Sequence, residues 1–245
     1  MRACTTAAKA HGWVLEEIPM ASGAKLAAFK RLSSHSSATG SQRIYLSAGI
    51  HGDEPAGPLA ALRLLQENRW PPGLELWFCP CLNPSGFQLN RRENSRGIDL
   101  NRDYLHLQSD EIRAHVAWLE TQPSFDLCLC LHEDWESHGF YVYELNLDNR
   151  PSLAESIVAA AGEVCPIDLS EHIEGRPARN GVIRPDTDPR SRPQWPEAFY
   201  LVTHKTRLSY TLEAPSDFAL SVRVNALVAG VNAALRIPQP PAPVV

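Results

Sequence analysis

The sequence predicts a single α/β domain with a mixed, mostly parallel, twisted sheet flanked by helices. Short apolar runs that suit buried strands alternate along the chain with segments that suit helices. Polar residues follow directly after several of these runs, where sheets of this class build their binding sites. The 245 residues are 44% hydrophobic and 21% charged, which is ordinary globular usage, and the 20 prolines argue against a long helical bundle.

The N-terminal region shows weak patterning. Residues 1–24 are predicted to be loose, and one strand is predicted over residues 25–31. The Ser/Gly-rich run over residues 33–41 predicts a loop. A short apolar run over residues 43–50 then predicts the first buried strand.

The rest of the chain alternates between strand and helix, without an internal repeat. Two polar segments, residues 83–107 and 173–196, predict long loops, and loops of that length in compact domains are often functional. The proline-rich tail over residues 237–245 is predicted to be loose. Strands are predicted over residues 74–80, 125–131, 140–144 and 207–213, and helices over residues 58–68, 109–120, 151–164 and 216–235.

The charge balance excludes two classes of partner. Lys and Arg number 23 against 28 Asp and Glu, and the pI near 6.0 argues against a nucleic-acid surface or a polybasic membrane surface. The sequence has no apolar run of the roughly 18 residues that a membrane helix requires. Its start also lacks the apolar core of a secretory signal, so a cytoplasmic location is expected.

The six cysteines also bear on the expected cytoplasmic location. Two pairs have the spacing Cys-x-Cys within apolar runs, where residues i and i+2 of a strand face the same way. This favours thiols that pack in a core, and a disulfide or a sulfur-ligated metal is the alternative. Packed thiols fit a reducing cytoplasm. The cysteines are Cys4, Cys79, Cys81, Cys128, Cys130 and Cys165.

Three residues at predicted strand ends have the composition of a catalytic zinc site. His51 and Glu54 follow the strand that ends near Ile50, and His132 follows the strand that ends at Leu131. Two imidazoles and a carboxylate leave one coordination position open for water, whereas closed structural sites usually take a fourth protein ligand. His-x-x-Glu alone is a weak motif, and each histidine could instead be a hydrogen-bonded structural residue.

An ordered set of motifs makes the signal more specific. The motifs are His51-Gly-Asp-Glu54, Asn83-Pro-Ser-Gly-Phe87, Asp99-Leu-Asn-Arg102, the strand-terminal His132 and Thr211-Leu-Glu213. Together they resemble the zinc metallocarboxypeptidase family (carboxypeptidase A-like), over about residues 43–215. The compact size and the Gly-Asp-Glu context are also similar to the succinylglutamate desuccinylase and aspartoacylase branch, which shares the metal site and cleaves N-acyl amino acids.

The resemblance implies a role for each matching residue. His51, Glu54 and His132 would hold one Zn²⁺, and Asp99 would accept a hydrogen bond from the His51 imidazole and so orient it. Glu213 would be the general base that takes a proton from zinc-bound water and later delivers it to the leaving amine.

The resemblance also implies how the substrate is held. Arg92 would stabilise the oxyanion, with Arg91 as the rival for this role. Asn101 and Arg102 would clamp the terminal carboxylate of the substrate. Tyr200 is the candidate for the tyrosine that covers bound substrate, although it precedes the proposed base by a shorter gap than the family pattern has.

The expected function is therefore zinc-dependent hydrolysis of a peptide or amide bond next to a free carboxylate, with short or cell-wall peptides as substrates. The alternative is an N-acyl amino acid deacylase of the desuccinylase type. A further alternative is a zinc- or ligand-binding module without catalysis, which Arg92 and Glu213 disfavour because a non-catalytic scaffold need not keep them.

Two charged segments give conflicting indications about the substrate. Residues 133–136 include Glu133, Asp134 and Glu136, which favour a basic group such as an amino terminus, unless they form only a hydrogen-bonded loop. Three arginines of the late polar loop favour an acidic substrate instead. They are Arg179, Arg184 and Arg190.

Overall fold

The structure is a computed structural model, and it describes residues 1–33, 41–185, 188 and 191–236. The predicted tail over residues 237–245, most of the predicted loop over residues 33–41 and Arg190 lie outside this described part. Within it, one sheet of ten strands forms the centre, and helices cover both of its faces.

Strands and helices mostly alternate through the middle and the end of the chain, as the sequence predicts, while strands follow one another directly near its start and in the region of residues 172–183. A short 3₁₀ turn over Leu100–Arg102 interrupts the long polar segment over residues 83–107. The described helices are α1 (Arg2–Ala10), α2 (Ala56–Glu67), α3 (Pro84–Leu89), α4 (Asp110–Glu120), α5 (Ala154–Gly162), α6 (Glu197–His204) and α7 (Leu220–Arg236). The described strands are β1 (Val14–Pro19), β2 (Lys25–Arg31), β3 (Gln42–Ala48), β4 (Leu74–Cys79), β5 (Leu127–Asp134), β6 (Tyr141–Asn146), β7 (His172–Ile173), β8 (Arg176–Arg179), β9 (Val182–Ile183) and β10 (Leu208–Pro215).

The sheet is parallel at its centre and largely antiparallel towards both edges. Its order is β1-β2-β4-β3-β5-β10-β6-β9-β8-β7. The strands β4, β3, β5 and β10 run parallel to their neighbours in this central group, so their carboxyl ends meet at one edge. The last long strand, β10, lies between β5 and β6 and brings the end of the chain into the middle of the sheet.

Strand β5 shows why this sheet needs cover on both faces. All eight of its residues are buried. Leu127, Leu129 and Leu131 pack into the apolar cluster on one face, while Cys128 and Cys130 pack into the cluster on the other. A strand buried on both sides is typical of the parallel centre of an α/β sheet. All six cysteines are free and buried, so the prediction that the thiols pack in a core is confirmed.

Helices α1, α2, α5 and α7 cover one face of the sheet, and α4 and α6 cover the other. The apolar side of each helix supplies the cluster between it and the strands, which contributes most of the favourable free energy of folding. None of the helices in the described part of the chain has the length and apolar character needed to cross a lipid bilayer.

The structure corrects three sequence predictions about irregular regions. Residues 1–24 are predicted to be loose but contain α1 and β1, with Cys4, Ala7 and Ala8 buried. An alanine-rich helix carries few large apolar residues, so its periodicity is weak in the sequence. The predicted loop over residues 83–107 contains α3 and the 3₁₀ turn, and the predicted loop over residues 173–196 contains most of a small β-hairpin region.

Candidate metal centre and active site

The turn after β3 brings His51 to the carboxyl edge of the sheet. Gly49 has φ of +62°, a conformation that favours glycine, and so redirects the chain at the end of the strand. Gly52 lies so close to α3 that a Cβ there would be 2.0 Å from the carbonyl carbon of Gly86. The tight approach holds the short segment over residues 51–54 against the core of the sheet.

Three side chains converge in this turn and at the end of β5. His51 Nδ1 lies 2.5 Å from Glu54 Oε1, and His132 Nδ1 lies 3.1 Å from Glu54 Oε2. One donor atom from each residue falls within 4.8 Å of the others, and all three side chains are buried. Both imidazoles therefore direct the same ring nitrogen at one carboxylate, with one nitrogen on each of its oxygens.

The charges of the three groups are strongly linked. Burial by itself would raise the pKa of Glu54, but the adjacent His132 and His51 imidazoles overcome this and lower it. Burial would likewise lower the pKa of each histidine, and the Glu54 carboxylate outweighs it and raises both. The site therefore contains an ionised carboxylate with two imidazoles directed at it.

A second layer of contacts fixes these side chains. The backbone N–H of Glu133 donates to Glu54 Oε2 at 3.1 Å. His51 Nε2 lies 3.3 Å from Asp99 Oδ1, although the alignment is too poor for a full hydrogen bond. Arg92 Nε donates to Asp99 Oδ2 at 3.0 Å, and its Nη1 lies 3.4 Å from His51 Nδ1. Asp99 and Arg92 thus both lie beside His51.

Glu213 lies next to His132 because the two occupy paired positions on the neighbouring parallel strands β10 and β5. Its side chain is 9% exposed and accepts no hydrogen bond from the described residues. Burial raises the pKa of Glu213 well above its usual range, and repulsion from Glu54, Glu174 and Asp134 adds to this, against the attraction of His132. A carboxylate of this kind can accept and release a proton near neutral pH.

A cavity of about 470 Å³ opens beside these groups. It is lined by all three residues of the candidate metal site and by Glu213, Arg92, Asn101 and Arg102. Arg91, the rival of Arg92, is exposed and does not line it.

Asn101 is held in place by the start of helix α6. Its Oδ1 accepts a hydrogen bond of 2.9 Å from the backbone N–H of Glu197. The buried Glu197 carboxylate in turn accepts hydrogen bonds of 2.8 Å from Tyr45 and Ser47 on β3. Since the Asn101 oxygen is occupied, its amide NH₂ is the part of the side chain that is free to donate into the cavity. Sequence reasoning gave no role to Glu197.

The structure corrects the interpretation of Tyr200. Its ring is 7% exposed, lies 5.7 Å from the ring of Tyr104 and 4.8 Å from that of His204, and does not line the cavity. Tyr143 on β6 lines it instead, opposite Thr211 of β10. The predicted strand over residues 140–144 gave a partial signal. Its alternation places Tyr143 on one face of the sheet, but it does not show which strand lies beside that residue.

Several residues of the two charged segments have partners in the structure that compensate their charge. Glu133 accepts hydrogen bonds from the Ala56 backbone N–H and from Arg223, so its charge is compensated. Arg184 pairs with Glu144 and Glu155, and neither Arg184 nor Arg179 lines the cavity.

Other lining residues gave no usable signal in the sequence. They are Trp135, Glu174, Arg176 and Phe199.

The donor set fits a divalent cation. Two imidazole nitrogens and one carboxylate on a rigid turn and a buried strand make the three-ligand set of catalytic zinc sites, with the cavity on the open side. Oxygen-preferring ions such as Mg²⁺ and Ca²⁺ would want more carboxylate or carbonyl ligands than these residues provide.

Solved structures with the same fold are described as metallopeptidases. One from Shewanella amazonensis matches with a TM-score of 0.82 and 25% identity, covering 98% of this chain and 92% of that chain. A metallo-carboxypeptidase from Burkholderia cenocepacia matches with a TM-score of 0.68 and 14% identity, covering 96% and 68%. One from Pseudomonas aeruginosa, in complex with (2-guanidinoethylmercapto)succinic acid, gives a TM-score of 0.67 and 18% identity over 96% and 67%. The last two establish similarity of fold alone.

The fold is that of structures described as metallopeptidases and metallo-carboxypeptidases. Residues 41–174, more than half of the chain, match the family described as Succinylglutamate desuccinylase/Aspartoacylase catalytic domain, and the chain belongs to that family. An alignment over 96 residues with Carboxypeptidase SOL1 of Arabidopsis thaliana shows 33% identity, and it covers 29% of this chain and only 18% of that relative. The resemblance and the fold class predicted from the sequence are therefore confirmed.

Proposed function

We propose that this chain is a zinc-dependent hydrolase that cleaves a peptide or amide bond next to a free carboxylate, with short peptides as substrates. One observation carries the proposal: the His51, Glu54 and His132 donor atoms lie within 4.8 Å of one another, and Glu213 stands in register beside His132 with no hydrogen-bond partner among the described residues.

A zinc ion in this site would act as a Lewis acid that polarises the scissile carbonyl and lowers the pKa of a water molecule. The chain itself supplies the groups that hold and move protons. Glu213 would take a proton from the attacking water at its carboxylate and pass it to the leaving nitrogen. Its raised pKa suits both steps, since the carboxyl must accept the proton and then release it.

Arg92 would stabilise the negative charge that develops on the carbonyl oxygen. Its guanidinium is partly exposed to the cavity, and Asp99 holds it close to His51 and Glu54, beside the atoms proposed to bind the ion. Because the arginine is already positioned in the free protein, little reorganisation is required when the charge forms.

Asn101 and Arg102 would bind the carboxylate that defines the substrate. Both line the cavity, and the Arg102 side chain is anchored by a 2.9 Å hydrogen bond from Nη1 to the Asn101 backbone carbonyl. The remaining guanidinium donors and the Asn101 amide provide a charged and a neutral donor for one carboxylate.

The family match supports a second candidate, an N-acyl amino acid deacylase. Both reactions would use the same zinc, Glu213 and carboxylate-binding groups, and they differ in what lies on the acyl side of the bond.

The test is metal analysis of the purified protein together with turnover of a substrate panel. The panel contains dipeptides, γ-linked diaminopimelate peptides of the cell-wall type and N-acyl amino acids. About one zinc per chain and turnover that requires a free carboxylate would support the proposal. Absence of bound zinc at saturating metal would overturn it.

A cytoplasmic location is proposed as well. All six thiols are free and buried, which fits a chain that folds in a reducing compartment. Fractionation of cells that produce the protein would test this, and recovery outside the cytoplasm would contradict it.

A further inference from the structure

We infer that the acyl side of the cavity is a subsite for a positively charged group, so that the preferred substrate is a short peptide with a free amino group and not an N-succinyl amino acid. This inference rests on the proposed function and specifies its substrate class.

Three carboxylates line one part of the cavity without a cationic partner. Asp134 is the last residue of β5, Glu136 lies two positions further on, and Glu174 lies in the turn between β7 and β8. None of the three is within ion-pair distance of a lysine or arginine in the described part of the chain. Arg176 also lines the cavity and offsets one of these three charges, while Arg192, another lining arginine, lies over the Phe199 ring of helix α6. The three carboxylates therefore outnumber the arginine that lies in their own segment of the chain.

Hydrogen bonds orient two of these carboxylates without neutralising them. Tyr141 donates its hydroxyl proton to Asp134 Oδ2 at 3.0 Å, and the Tyr143 hydroxyl donates to Glu174. Neutral donors of this kind fix the direction of a carboxylate and bring no positive charge of their own. The tyrosines sit on the cavity face of β6, because Tyr143 is paired with Thr211 on β10.

A separate observation indicates that a ligand group belongs in this space. Glu213 is 9% exposed, lines the cavity and has no hydrogen-bond partner among the described residues. A buried carboxyl group without a partner is costly, so a hydrogen-bond donor, such as the attacking water or a group of the substrate, is expected in the space beside it. Trp135, 72% exposed at the rim, adds an aromatic face beside the acidic groups, which suits a cation or an extended peptide.

The cationic subsite lies on the opposite side of Glu213 from the carboxylate clamp. Asn101 accepts a hydrogen bond from Glu197, whose carboxylate is in turn bonded to residues of β3. Glu174 accepts a hydrogen bond from Tyr143 on β6. The order β3-β5-β10-β6 separates the two by three strand spacings, or about 14 Å. Side chains reach inward from both ends, and extended peptide advances about 3.5 Å per residue, so a peptide of a few residues fits between them.

The same charges disfavour the substrate of a desuccinylase. A succinyl group would place its own carboxylate among Asp134, Glu136 and Glu174, and like charges at short range repel. Arg184, which the sequence offered for an acidic substrate, is engaged by Glu144 and Glu155 instead. The proposed catalytic groups would serve peptide cleavage and deacylation equally, and the charges on the acyl side favour peptide cleavage.

The first measurement compares three substrates that share one C-terminal amino acid: a dipeptide with a free amino group, the same dipeptide N-acetylated, and the N-succinyl amino acid. The expected order of kcat/KM is free dipeptide, then acetylated dipeptide, then succinyl compound. The preference for the free amino group should weaken above pH 8, where the amino group of a peptide loses its proton.

The second measurement uses Glu136→Gln and Glu174→Gln, separately and together. Each change should lower the preference for the free over the acetylated dipeptide by about threefold, as expected for exposed charge pairs, and the double variant by roughly tenfold. The matched control is Glu171→Gln, which removes the same charge from an exposed residue near the hairpin that does not line the cavity. It should leave the preference unchanged.

The outcomes separate the inference from the proposed function. Turnover of carboxylate-bearing dipeptides with no preference for the free amino group, or a preference that the two glutamine substitutions leave intact, overturns the inference and leaves the function standing. Faster cleavage of the succinyl compound overturns the inference in favour of a deacylase. Failure to cleave any of the three by the zinc-loaded protein overturns the proposed function and the inference with it.

Discussion

Glu213 and His132 lie side by side on parallel strands, in register, although 80 residues of sequence separate them. The pairing places a buried carboxylate, which has no hydrogen-bond partner in the described part of the chain, next to one of the three candidate metal ligands. Because both residues are on rigid strands of the sheet, their separation does not depend on a loop. The two side chains can therefore act on the same bound substrate.

The first prediction concerns Glu213. Glu213→Gln removes the proposed base while keeping the size of the side chain, so kcat should fall by about 10²–10⁴-fold with zinc content unchanged. Steady-state kinetics and metal analysis of the same preparation would check this. Glu171→Gln is the control and should retain full turnover, since it lies outside the cavity. Retained turnover in Glu213→Gln would exclude the proposed proton transfer.

The second prediction concerns the metal ligands. His132→Ala removes one of three donors, and the zinc content after dialysis should fall from about one per chain to a small fraction of that. His138→Ala is the matched control, because His138 is exposed and six positions along the same segment. Chelation of the wild-type protein should also lower its Tm, since an ion at a hundredfold excess over Kd stabilises the folded state by about 2.7 kcal/mol. Equal zinc content in both variants would contradict the assignment.

The third prediction concerns Arg102. Arg102→Ala should raise KM for substrates with a free terminal carboxylate, by about tenfold or more for loss of a charge-assisted pair, with a smaller change in kcat. The same variant should behave like wild type on a C-terminally amidated substrate. Arg91→Ala is the control, because Arg91 is exposed and does not line the cavity. An equal loss on amidated and free substrates would show that Arg102 does not recognise the carboxylate.

The fourth prediction concerns stability in acid. His115 is fully buried, lies 2.9 Å from the Tyr45 hydroxyl and 2.8 Å from the Tyr104 hydroxyl, and burial lowers its pKa to about 3. The folded state holds the neutral ring, whereas the unfolded chain takes up a proton near pH 6.5. The stabilising contribution is therefore complete above pH 6.5 and falls as the pH drops from there towards 3, by up to about 1.4 kcal/mol per pH unit.

Urea unfolding between pH 7 and pH 4 would measure this slope. His115→Gln removes the titration and keeps a donor and an acceptor for the two tyrosines, so the slope should become shallower by the contribution of one histidine. His138→Ala should leave the slope as in wild type, since His138 is exposed. Identical slopes in His115→Gln and wild type would show that this histidine does not control the loss of stability in acid.

The sequence by itself determined the fold class, and it singled out four residues that the structure brings to one cavity. Apolar runs marked the central strands. A strand that is buried on both faces is apolar at nearly every position, so it can be recognised without knowing which strands lie beside it. His51, Glu54, His132 and Glu213 were recognisable because each follows or ends such a run within a motif of fixed spacing. The sequence did not predict the helix and the strand at the N-terminus, because small alanines bury little area and give a weak hydrophobic pattern.

Only the tertiary structure decided which side chains share the cavity. Tyr143 replaces Tyr200 there because β10 inserts between β5 and β6, an arrangement between distant segments that no local pattern encodes. The tertiary structure also decided which charges are compensated. Glu133 and Arg184 are neutralised by partners far along the chain. Asp134, Glu136 and Glu174 line the cavity without such partners in the described part. Pairing of charges depends on distance in space, and the order of strands sets that distance.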